Sequence, residues 1–106
     1  MIQQEVFDWR VNNFNDYPTA LKGALIIAEE TGEIARAVLK REQAIRGTYE
    51  QWSDELKLEM AQTTIALLVL AELEGFDLLE AVEKYFLLLK QRNFKTDSIG
   101  HGLPDA

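Results

Sequence analysis

Cysteine is absent from the 106-residue chain, which excludes a disulfide framework, a thiolate metal site and a cysteine nucleophile, and fits a reducing compartment. Positive charge is in short supply. Eleven Lys and Arg stand against eighteen Asp and Glu, a net charge of -7, whereas a nucleic-acid surface needs a basic face to displace counterions, so no nucleic-acid partner is expected. An acidic protein can still take a phosphorylated small molecule when a divalent cation bridges the two sets of negative charge. Long apolar runs are missing too: the longest covers residues 65–71, far short of the roughly 20 residues that cross a bilayer. The opening MIQQEVFDWR has no basic stretch followed by an apolar one, so it does not read as a signal peptide. Together these absences predict a soluble cytoplasmic protein with no membrane partner. The one histidine, His101, stands alone in the tail and is assigned no catalytic role.

Only two prolines and six glycines occur, and they fall where helices would start and stop. With 47% hydrophobic and 27% charged residues the balance is that of a globular chain, and the length argues for one domain over residues 1–106. No segment shows the strict alternation of a half-buried strand, and there is no repeat. The pattern predicts an all-α bundle of four helices. A first helix covers about residues 2–12, followed by the loop NFNDYP. A second runs from Thr19 to Arg46 and stops at Gly47. Thr48 with Gln51 resembles a capping box opening a third helix that reaches Gly75, and Asp77 with Glu80 opens a fourth reaching about Asn93. The tail over residues 94–106, with Gly100, Gly102 and Pro104, is expected to be irregular.

Helical phasing at about 100° per residue sorts the second helix into three sectors. Lys22, Glu29, Arg36 and Lys40 form a solvated face. Leu21, Leu25, Ala28, Ala35 and Leu39 form a second sector that reads as plain core. The third holds Gly23, Ile26, Ile27, Ile34 and Ala37, yet Glu30 and Glu33 stand among them, three residues apart and therefore side by side. The third helix repeats the anomaly. Trp52, Leu56, Thr63, Ala66, Leu70 and Leu73 form a stripe with Glu59 in its middle and Gln62 beside it. Antiparallel packing of the two helices would bring three carboxylates and one amide together.

Glutamates on a core face need compensation, because burying an unpaired carboxylate costs several kcal/mol. The apolar stripes offer almost no basic partner, which points to a divalent cation, and all-oxygen ligands suit Mg2+ or Mn2+ rather than zinc.

The segment EETGE at 29–33, followed by Glu59 and Gln62, is similar to the EExxE plus ExxD signature of the MazG-like all-α nucleoside triphosphate pyrophosphohydrolases. GALIIAEETGEIARAVLK and LEGFDLLEAV resemble the same family, and the likeness spans most of residues 20–93. The resemblance implies a MazG-type helical bundle with Mg2+ on Glu30, Glu33 and Glu59, and with Gln62 standing where an Asp is usual. It implies that Glu29 or Glu30 orients the attacking water, although Glu29 has the phase of the solvated sector. It also places Lys90, Arg92, Asn93 and Lys95 against the substrate phosphates; on the residues alone, basic groups at a helix C-terminus simply favour the dipole. Trp9 and Trp52 could stack on a base or serve as core or interface.

The implied activity is Mg2+-dependent hydrolysis of a nucleoside triphosphate to a monophosphate and pyrophosphate, clearing non-standard or excess nucleotides. The rival expectation is a degenerate, non-catalytic homologue that binds nucleotide or a partner protein, with Gln62 as its mark; a purely structural adaptor would need the three glutamates solvated or salt-bridged. Because the second and third helices are apolar on two sectors, a homodimer or dimer of dimers is expected to bury the surplus, as the resemblance also implies.

Overall fold

The computed structural model describes residues 2–95 and the backbone of Leu103 and Pro104; of the tail expected to be irregular, residues 96–102, including His101, and 105–106 lie outside the described residues. Four helices follow one another: α1 Ile2–Asn13, α2 Ala20–Gln43, α3 Tyr49–Glu74 and α4 Leu78–Leu89. A pair of two-residue strands, β1 Arg92–Asn93 and β2 Leu103–Pro104, pairs antiparallel with Arg92 opposite Pro104. The expected helical content is present, and none of the described helices is long and apolar enough to cross a membrane.

Helix starts follow the capping chemistry. The Thr19 hydroxyl accepts from the Lys22 N–H at 3.2 Å, and the Asp77 carboxylate accepts from the Glu80 N–H at 3.0 Å. At α3 both halves of the capping box form: Thr48 Oγ1 accepts from the Gln51 N–H at 3.1 Å, and Gln51 Oε1 accepts from the Thr48 N–H at 2.8 Å. Helix ends differ from the expectation. α2 stops at Gln43 rather than Arg46, because Ala44 turns left-handed (φ 53°) and lets its N–H and that of Ile45 reach the carbonyls of Arg41 and Lys40 at 3.2 Å. Gly47 does not supply that turn. A Cβ there would sit 2.9 Å from Trp52 Nε1, so glycine serves close approach, in a loop held by the Trp52 Nε1–H donating to the Ile45 carbonyl at 2.9 Å. α4 ends at Leu89 instead of Asn93, since Arg92 and Asn93 pair as a strand.

The chain divides into two compact units, Met1–Phe76 and Asp77–Ala106. In the first, α3 is the central element and packs on both α2 and α1. α2 and α3 run antiparallel, Gly23 lying against Leu70 and Arg36 against Trp52. Ala37, Leu68, Val69 and Ala71 are the buried apolar side chains. α1 is fastened by Gln3, whose amide donates to Glu72 Oε2 at 2.9 Å and to the Phe76 carbonyl at 2.7 Å. Asp16 receives Arg10 at 3.1 Å and Lys22 at 2.9 Å, tying the α1–α2 loop to both helices. The Lys22 hydrogen bond, with Arg10 beside it, holds the Asp16 carboxyl below its usual range.

One expectation is overturned within this unit. Leu21, Leu25, Ala28, Ala35 and Leu39 are not core: all five are exposed, the leucines by 72%, 63% and 53%. α3 takes the other apolar sector, where Gly23 lies against Leu70 and Ala37 is buried, with Ile27 and Ile34 half-buried. In the second unit α4 likewise presents exposed Leu79, Val82, Phe86 and Leu89.

Candidate metal centre

The α2–α3 seam carries the two anomalous stripes, and it brings Glu30 and Glu33 from α2 to Glu59 from α3. One carboxylate oxygen from each lies within 4.8 Å of the others. Glu59 is 6% exposed, while Glu30 and Glu33 are half-buried. Spacing of three along α2 puts its pair on one side, and Glu59 is held in the central turn of α3, where the buried Thr63 hydroxyl donates to the Glu59 carbonyl at 2.7 Å.

Among the described residues no donor reaches Glu59 Oε2 or Glu30 Oε2, although both atoms are buried. Carboxylates that face only one another can be satisfied by a shared proton or by a cation. Without a cation, hydrogen bonding of the protonated Glu59 carboxyl to Glu30 and Glu33, aided by burial and the Glu33 charge, pushes Glu59 up to about 8. Three clustered carboxylates, two of them with an orphaned buried oxygen, are a donor set of the kind a hard divalent cation takes. The structure brings together Glu30, Glu33 and Glu59, the three glutamates that the sequence singles out, in an arrangement that could hold a metal ion.

A cavity of about 160 Å³ opens beside the cluster, lined by Glu33, Arg36, Ala37, Trp52, Glu55 and Glu59. The Arg36 guanidinium lies 6.0 Å from the Trp52 ring centroid and makes no ion pair within 4.0 Å among the described residues. Arg36 and Glu55 are the residues that the sequence reading missed. Arg36 is exposed, as its phase on the solvated face predicts, and still borders the cavity; its position three residues after Glu33 is the available signal for that, as is the position of Glu55 one turn before Glu59.

A second, larger recess of about 360 Å³ lies between α1, α2 and α3, lined by apolar and aromatic side chains including Trp9, Phe14, Ile26, Ile65 and Val69. Trp9 and Phe14 meet edge to face at 5.7 Å. Gln62 belongs to this groove lining, is exposed, and does not line the acidic cavity. Ile26 is one turn from Glu30 and Gln62 one turn from Glu59, so the groove begins where the acidic cluster ends.

Glu29 is exposed and lines neither recess. Lys90, Arg92, Asn93 and Lys95 belong to the second unit. There Lys90 caps α4 with its ammonium 5.5 Å from the Phe86 ring centroid, Arg92 lies 5.6 Å from that of Phe94, and Asn93 Oδ1 accepts from the Lys95 N–H at 3.0 Å. Comparison with family models, with curated proteins and with solved structures finds no match to this chain.

Proposed function

We propose that this chain is a Mg2+-dependent nucleoside triphosphate pyrophosphohydrolase of the MazG-like type, a helical bundle completed by a second copy. The observation that carries the reading is the cluster of Glu30, Glu33 and Glu59 with two buried carboxylate oxygens that no donor reaches among the described residues. A bound Mg2+ supplies neutralisation of the phosphate oxygens and acidification of a coordinated water. The three glutamates hold the cation where the groove begins. The groove has the size and apolar lining of a small-molecule site, and Trp9 and Phe14 offer ring surface to a base. Arg36, which lines the cavity and makes no ion pair among the described residues, would meet phosphate charge. Glu30 is the better of the two candidates for orienting the water, because it belongs to the carboxylate cluster whereas Glu29 is exposed and outside it. In the reaction the water oxygen bonds to the α-phosphorus while the bridging oxygen to the β-phosphorus leaves with pyrophosphate. Lys90, Arg92, Asn93 and Lys95 are proposed to meet the remaining phosphates.

The test is pyrophosphate release from a panel of canonical and modified nucleoside triphosphates with Mg2+, followed by product chromatography. Equal amounts of monophosphate and pyrophosphate are expected, abolished by chelation and by Glu59→Gln. Release of orthophosphate, or binding without any turnover across the panel, sinks the hydrolase reading; the latter leaves a nucleotide-binding helical protein.

A further inference from the structure

We infer that Glu55 is the fourth carboxylate of the cation site, supplying the negative charge that Gln62 does not bring. The inference rests on the divalent-cation reading of Glu30, Glu33 and Glu59. Glu55 lies one turn before Glu59 on α3 and lines the same small cavity as Glu33 and Glu59. Gln62, one turn beyond Glu59, lines the apolar groove instead. The side chain that marks the cavity as built for a ligand is Glu59: it is more than nine-tenths buried, and its Oε2 has no hydrogen-bond partner among the described residues.

The ordinary explanation for an acid at this position is a salt bridge, and Arg36 is the one cation lining the cavity. No such bridge forms. Arg36 stacks toward Trp52 and no carboxylate oxygen comes within 4.0 Å of it among the described residues. Three clustered carboxylates and a fourth on the cavity wall thus stand beside one guanidinium that has no ion pair among the described residues, an imbalance that a divalent cation offsets. Glu55 stands outside the group of oxygens that lie within 4.8 Å of one another. Its reach to the ion is therefore through a coordinated water or by rotation of its own exposed side chain, both of which suit Mg2+, which keeps several waters. Carboxylates in that outer position are commonly worth 10- to 100-fold in metal affinity.

The experiment is titration of the full chain with Mn2+, followed by calorimetry and by the paramagnetic signal of free Mn2+, for wild type, Glu55→Gln, Glu55→Asp, Glu59→Gln and Gln62→Asp. Circular dichroism in chelator checks that each variant is folded. Glu55→Gln should weaken Mn2+ binding about tenfold or more, Glu55→Asp should recover part of it, and Gln62→Asp should change it less than twofold. Wild-type affinity in Glu55→Gln, alongside loss in Glu59→Gln, overturns the role of Glu55 and leaves the three-glutamate site standing. A gain in Gln62→Asp with none lost in Glu55→Gln returns the fourth position to residue 62. Absence of Mn2+ binding in the wild type overturns both this inference and the metal reading beneath it.

Discussion

Glu59 concentrates the physics of the site in one side chain. Its carboxyl is pushed up to about 8 by sharing a proton with Glu30 and Glu33, then by burial and by the Glu33 charge. In the unfolded chain the same group titrates near 4.5. The folded value is the higher one, so the fold favours the protonated form: its stabilising contribution is complete below about pH 4.5 and declines as pH rises to about 8. In chelator the melting temperature should therefore fall between pH 5 and pH 8. Glu59→Gln, which keeps shape and adds an amide donor toward its neighbours, should flatten that fall without unfolding the protein. Mg2+ should restore stability most at the alkaline end, because binding needs the ionised carboxylates and releases the shared proton. Thermal melts of both proteins across this range, with and without Mg2+, check it; a wild-type curve that does not slope would mean the three acids are separately solvated.

At the scale of the element, the end of α2 is where sequence and backbone disagree most usefully. Ala44 holds φ 53°, a conformation that costs an alanine about 1–2 kcal/mol, while glycine gives back about 0.4–1 kcal/mol through its freer unfolded state. Ala44→Gly should therefore stabilise the protein by about 0.5–1 kcal/mol. Gly47→Ala should act in the opposite sense, since its Cβ would press to 2.9 Å from Trp52 Nε1 and 3.2 Å from Gln51 Oε1, disturbing both the bond to the Ile45 carbonyl and the capping box of α3. Urea unfolding of the two variants measures both signs in one experiment. Equal destabilisation by both would mean that the α2–α3 loop does not keep this geometry.

For the whole molecule, the decisive feature is the apolar surface left uncovered. α2 shows Leu21, Leu25 and Leu39 on a continuous stripe with Ala28 and Ala35 between them, on the side of the helix away from α3. At a spacing of three and four this is a packing face, and exposed apolar faces of such length mark association sites. The chain should sediment as a dimer or larger at micromolar concentration. Leu25→Glu, which places a charge in the middle of the stripe, should shift the distribution toward monomer while leaving helical content unchanged. Analytical ultracentrifugation of a wild type that runs as a clean monomer refutes the proposed assembly.

The four helices and most of their starts were legible in residue order, because caps and periodicity are local: Thr19, Thr48 and Asp77 act on N–H groups three residues away. The pairing of Glu30 with Glu33 was legible for the same reason, as was the intrusion of Glu59 into an apolar stripe. Periodicity orders the faces of one helix but carries no information about which face meets which neighbour. Hence the Leu21–Leu39 sector read as core, whereas α3 selected the sector with Gly23 and Ala37, where small side chains let the two backbones approach. That choice decided the chemistry. It drew Glu30, Glu33 and Glu59 into one cluster, brought Arg36 and Glu55 to the cavity beside it, and turned Gln62 into the apolar groove, because contacts between helices far apart in sequence are fixed by shape and burial rather than by local order.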